Sequence, residues 1–170
     1  MTHPSLAEIE QLAAARGLLL RLQVRRWLVI TSLRVVVARP RPELPPLLLG
    51  ELKGWTLPLP DGLQLDTMRV QGSHTQGVGA LIWAATFAWA LEATPCRSAR
   101  LLAIRDHEAQ HRRLVRYFRR LGFEPIRDVG AATADLPLRL VWGGAGLLMR
   151  GDCEAGLERA WRAAQWADPA

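Results

Sequence analysis

Residues 78–91, VGALIWAATFAWAL, run for 14 positions without a charged side chain. A membrane span needs about 20 such residues, so the stretch is too short to cross a bilayer. An apolar run of this length without a breaker reads as a helix, and a helix apolar on all sides must be enclosed by the rest of its protein. The fold has to be built around it.

The chain is long enough to do so. Its 170 residues suit one domain spanning 1–170, and a chain of this size buries roughly 70% of its unfolded surface without a staple. Apolar residues make up 49% and charged residues 22%, a globular composition that excludes wholesale disorder. The two cysteines, Cys96 and Cys153, form no C-x-x-C pair and no disulfide framework. They point to a reducing compartment. The N-terminus lacks a basic segment ahead of an apolar one, so no signal peptide is read and a cytoplasmic protein off the membrane is expected. The net charge is +6, and every basic residue but Lys53 is an arginine, so that charge holds at any physiological pH. His107 and His111 stand four apart with no third ligand in view, and no metal is expected.

Ser5 and Glu8 have capping-box spacing and open a helix expected over residues 5–23, which Gly17 can end or let continue. Residues 27–39 read as a strand. Pro40, Pro42, Pro45 and Pro46 predict a loop, followed by strands over 47–57 and 63–70. A polar turn then leads into the apolar helix, expected over 77–92. A buried strand over 99–104 and a helix over 106–121 follow, the latter capped by Asp106 and stopped by Gly122. Residues 123–129 and 138–149 read as closing strands, and 154–165 as a terminal helix. The Gly-rich stretch 142–146 is expected to bulge or to pair with another copy. Strands alternating with two well-marked central helices indicate a mixed α/β or α+β domain.

The chemistry concentrates where a strand passes through a tight turn and Gly77-Val78-Gly79 into a helix. Glycines at that spacing let main chain approach a ligand, and the free N–H groups of a first helical turn suit a diphosphate. The third glycine of a dinucleotide fingerprint is absent, as is the Lys-Ser/Thr of a nucleotide phosphate loop. About forty residues on, Tyr117-Phe118-Arg119-Arg120-Leu121-Gly122-Phe123 runs from a helix through a glycine into a strand.

Together these segments resemble the GNAT superfamily of acetyl-CoA-dependent N-acyltransferases. His74-Thr75-Gln76-Gly77-Val78-Gly79 matches the family's Arg/Gln-x-x-Gly-x-Gly/Ala loop, with His74 in the first place. The later segment matches Leu-Tyr-x-x-Leu-Gly-Phe with its tyrosine displaced by one position. The match covers residues 63–149, the expected acyl-CoA core, whereas residues 1–60 diverge. The resemblance implies a central, mixed, splayed sheet flanked by helices, with an extra N-terminal helix. It implies acetyl-CoA or another acyl-CoA as co-substrate and an amine, small molecule or protein, as acceptor. The pantetheine arm would pair with the main chain of residues 65–70, including Met68, Arg69 and Val70. The diphosphate would rest on the amides of Gln76, Gly77, Val78, Gly79 and Ala80, with His74 beside it, and His111 would take the place of a pantetheine-binding asparagine.

Asp66 is the carboxylate available as a base, or else a surface partner of Arg69 or Arg34. Strand alternation would put Asp66 with Met68 on one face, and Leu65 with Thr67 on the other. Tyr117 is the sole tyrosine and the candidate acid for the departing thiolate. The family's position falls on Phe118, and one residue is about 100° of helical turn, which rotates Tyr117 away. Residues 112–120 carry Arg112, Arg113, Arg116, Arg119 and Arg120, a solvated face or a surface for an acidic partner. The alternative function is a catalytically inactive GNAT-like module that binds a protein or nucleic acid through this helix.

Overall fold

In the computed structural model, which describes residues 2–167, the expected capping box opens α1 (Leu6–Ala15). Ser5 Oγ accepts from the Glu8 amide at 3.2 Å, and Glu8 accepts from the Ser5 amide at 2.7 Å. The helix does not run to residue 23. Gly17 takes φ +69°, its N–H reaches the Ala14 carbonyl, and the Leu18 N–H reaches the Ala13 carbonyl. This pair of reversed bonds ends the helix. The chain then enters β1 (Leu19–Trp27), turns at Leu28 and Val29, and returns as β2 (Ile30–Arg41).

The prolines correct a second expectation. Pro42 lies in the two-residue turn, but the other three do not make a loop: β2 continues through Pro40, and β3 (Leu44–Thr56) starts with Pro45 and Pro46 close behind Leu44. Arg41 pairs with Leu44 across the hairpin end, and the ladder shifts register between Arg39 and Arg41. Proline lacks an amide, and a bulged hairpin end is where a missing amide costs least. β4 (Leu63–Val70), α2 (Val78–Ala93) and β5 (Ser98–Ile104) follow close to their expected bounds.

The helix α3 (Glu108–Arg120) has His107, not Asp106, at its N-cap. It ends as α1 does: Gly122 at φ +95°, with Gly122 N–H on the Arg119 carbonyl and Phe123 N–H on the Phe118 carbonyl. The rings of Phe118 and Phe123 then meet edge-on at 6.1 Å, the apolar contact that accompanies such a cap. After β6 (Glu124–Val129), residues 133–135 form a single 3₁₀ turn and α4 (Leu136–Trp142) replaces the first half of the expected closing strand. Leu138 and Trp142, one turn apart, cover Val129 and Leu148 in a small second core. Gly143 at φ +75° stops α4, so the Gly-rich stretch is a helix terminus. β7 (Gly146–Asp152) and α5 (Cys153–Trp166) complete the chain.

The seven strands lie in the order β1-β2-β3-β4-β5-β7-β6. β4 and β5 run parallel, and the other neighbouring pairs are antiparallel. α2 is buried along most of its length, from Val78 to Ala90. It packs against β2, β3 and β4, with α1 and α5 beside it. No helix among the described residues is long and apolar enough to cross a membrane.

Candidate functional site

The sheet opens between β4 and β5. The two strands pair over three residues, Leu63 with Ala99, Gln64 with Arg100 and Leu65 with Leu101, and no further. Beyond them, residues 67–70 keep β3 on one side and have no neighbour on the other. A strand edge left open inside a sheet offers main-chain N–H and C=O groups to an extended ligand. The gap holds a small cavity of 40 Å³, lined by Asp66, Thr67, Met68, Trp83, Leu102 and Phe118 among others.

Asp66 sits at a β-bulge. Lys53 faces Thr67 and Gly54 faces Leu65, so Asp66 is the residue left without a partner. The extra residue cancels the simple alternation expected from sequence. Leu65 and Met68, opposite Gly54 and Leu52, now share the face turned to α2, while Thr67 and Arg69 share the other. Asp66 lines the cavity and is exposed. Arg34 is not its partner: Arg34 Nε donates to Glu51 at 2.8 Å. That bond, more than the neighbouring Lys53, holds the Glu51 carboxyl below its ordinary range.

The two glycines do different work. Gly77 takes φ +79°, and a Cβ there would stand 2.6 Å from Ala167 Cβ. It is required by the turn and by packing against the C-terminal end of α5. A Cβ on Gly79 would instead lie 3.4 Å from Met68 Cε, 3.6 Å from the Tyr117 hydroxyl and 3.9 Å from Val70 Cγ2. Gly79 keeps open the mouth where β4, α2 and α3 meet.

The amides behind it are partly committed. Val78 N–H, expected among the anion donors, donates to the Thr75 carbonyl at 3.1 Å. Among the described residues the N–H groups of Gln76, Gly77, Gly79 and Ala80 have no protein acceptor. Sixteen residues of helix lie behind them, and the helix dipole favours an anion at this end. His74 is exposed at φ +55°, and its carbonyl accepts from Arg39 Nη2 at 2.8 Å. Arg39 therefore fixes the loop, a role with no trace in the sequence.

Tyr117 is brought to this mouth by the same cap that buries its neighbour. Phe118 packs edge-on to Trp83 at 6.4 Å, which leaves Tyr117 one step round the helix. Its hydroxyl accepts from Trp83 Nε1 at 2.8 Å and lies 3.9 Å from Met68 Sδ. Burial pushes the phenol pKa up, and the Trp83 N–H offsets part of that rise. Trp83 is thus more than the core residue that its apolar surroundings suggest: a buried indole N–H needs an acceptor, and that need was the available signal.

His111 is 6% exposed. Its Nδ1 donates to the Ile104 carbonyl at 3.2 Å, and Nε2 faces Arg105 Nη2 at 3.5 Å. Arg105 N–H points at Ala145 in the loop before β7. Across a trans peptide the Ile104 carbonyl therefore points the opposite way, toward the gap. His111 is anchored at the open edge of β5, with one ring nitrogen already engaged. His107 is exposed, and among the described residues no three metal-binding side chains gather. The arginines of α3 are all exposed, and Arg112 has one distant partner, Glu108 at 4.0 Å.

A solved structure, nourseothricin acetyltransferase, superposes on 89% of this chain and 96% of its own with a TM-score of 0.50, at 15% sequence identity. The fold is GNAT-like. No protein-family model matches the chain, and no curated protein matches it. The likeness is one of architecture: a mixed seven-stranded sheet flanked by helices, with a helix ahead of the first strand.

Proposed function

We infer that the protein is an N-acyltransferase that passes an acyl group, acetyl in the simplest case, from acyl-CoA to an amine by direct attack. The observation that carries this reading is convergence at one opening. The unpaired edge of residues 66–70, the free amides of Gly79 and Ala80, and the Tyr117 hydroxyl meet around the missing side chain of Gly79.

In this reading Gln76, Gly77, Gly79 and Ala80 hold the diphosphate through main-chain N–H groups, with Val78 shaping the turn and His74 beside it. Met68, Arg69 and Val70 extend the sheet toward the pantetheine arm through their main chain, and His111 fixes the opposite edge. Asp66 takes a proton from the amine, directly or through water. The amine nitrogen bonds to the thioester carbon, the carbon–sulfur bond breaks, and Tyr117 gives its proton to the departing sulfur. No metal enters the scheme. A cytoplasmic setting suits the buried, unpaired thiols of Cys96 and Cys153.

The test is thiol release from acetyl-CoA across a panel of amines. Turnover with at least one amine is expected, and a panel silent at every amine contradicts the reading. A second reading draws on the narrowness of the cavity and the exposed arginines of α3. It makes the protein a non-catalytic module for an acidic partner, nucleic acid included, with binding that weakens steeply with salt and no turnover.

A further inference from the structure

The register of the first four strands places an unusual set of side chains on the sheet face turned away from α2. Gln23 faces Arg34, Arg34 faces Lys53, and Lys53 faces Thr67. One row along, Arg21 faces Val36, Val36 faces Glu51, and Glu51 faces Arg69; on the other side, Arg25 faces Ser32. Side chains directly opposite in antiparallel strands share a face. The block therefore carries five cations, Arg21, Arg25, Arg34, Lys53 and Arg69, against one carboxylate, Glu51.

Glu51 is already committed to both Arg34 and Lys53. Arg25 and Arg69 have no ion-pair partner among the described residues. α1, α2 and α5 belong to the core on the other face, and this one holds a shallow depression of 510 Å³ lined by Gln23, Arg25, Ser32, Arg34 and Lys53. Thr67 belongs both to this block and to the cavity between β4 and β5.

We propose that this face holds an acidic peptide whose amine enters the gap at Thr67, so that the acyl acceptor is a lysine or N-terminal amine set among carboxylates. The inference rests on the acyltransferase reading and names its acceptor. Charge complementarity selects an anion. Size selects a peptide over a single amino acid, because four strands span about 14 Å, the length of about four extended residues. The half-buried Trp55 and, one row beyond Arg25, the exposed Trp27 are the aromatic residues on this side of the block; they stand on opposite sides of β2, too few for a run of stacked bases of single-stranded nucleic acid.

The experiment measures binding of three probes to the full chain: a pentapeptide with lysine between paired glutamates, its glutamine counterpart, and a short oligothymidylate. Stabilisation by acetyl-CoA is followed in parallel. The expected result is about tenfold tighter binding of the glutamate peptide than of the glutamine one, with the preference lost in Arg25→Glu/Lys53→Glu. Stabilisation by acetyl-CoA should persist in that double variant. Arg25→Gln/Lys53→Gln serves if charge reversal impairs folding. Equal binding of the two peptides, a double variant that binds as wild type does, or tighter binding of the oligothymidylate overturns the proposal. If acetyl-CoA still stabilises the protein in that event, the acyltransferase reading stands without it. A peptide preference in a protein that acetyl-CoA does not stabilise overturns the assignment of the peptide as acceptor.

Discussion

Trp83 Nε1–H donates to the Tyr117 hydroxyl oxygen at 2.8 Å, joining the buried helix α2 to the exposed helix α3 at the mouth of the gap between β4 and β5. The bond turns the phenol proton away from the indole, and Met68 Sδ, 3.9 Å away at the rim of the gap, accepts it. It also brings a tyrosine one position out of register with the expected motif to this mouth: Phe118 packs against Trp83, and the indole collects the hydroxyl next to it.

Tyr117→Phe should therefore cut thiol release by about 10²-fold or more, the scale of a lost general acid, and leave acetyl-CoA affinity nearly unchanged. Tyr117 acts only while protonated. Burial raises its pKa, so the alkaline loss of activity should set in above the ordinary tyrosine value of 10.0. Trp83→Phe removes the interaction that lowers the pKa and should move that limb further up. A pH–rate profile that Trp83→Phe leaves in place would separate Tyr117 from proton transfer.

Gly77 and Gly79 should fail in different ways. Gly77→Ala places a side chain at φ +79° and 2.6 Å from Ala167, with strain of about 1–2 kcal/mol before the clash is relieved. Its Tm should fall. Gly79→Val meets flexible Met68 and the Tyr117 hydroxyl, so its Tm should stay near wild type while stabilisation by acetyl-CoA disappears. Paired melting curves with and without acetyl-CoA read both effects.

The Cys153 thiol is pushed up to about 12, chiefly by burial. Neither cysteine should react with iodoacetamide in the native protein at pH 8, and both should react once it is unfolded. The folded state holds the Cys153 proton more tightly than the unfolded state does, so this thiol contributes stability that is complete below pH 9 and is lost as pH rises toward about 12. Cys153→Ala should flatten that alkaline decline in Tm.

Much of the central scaffold was legible because its signals are local. The capping box at Ser5, the apolar run after Gly77, and the glycine stop at Gly122 each act over a few residues. The N-terminal third was harder. There the prolines sit at a bulged hairpin end whose tolerance depends on the partner strand, and β1 follows Gly17 so closely that its leucines extend the helical pattern. Residues 138–142, read as the start of a closing strand, became the body of α4 because Leu138 and Trp142 found Val129 and Leu148. At the site, the glycines and Tyr117 stood out in the sequence. The bulge that isolates Asp66 did not, since it exists only in the pairing of β3 with β4. Nor did the basic face of β1–β4, whose residues come together only through register.

The most direct measurement is native mass spectrometry of the full chain titrated with acetyl-CoA, wild type beside Gly79→Val. The account predicts one acetyl-CoA bound per wild-type chain and none on the variant. A wild-type chain that takes up no acetyl-CoA, or a variant that takes it up equally well, would contradict it.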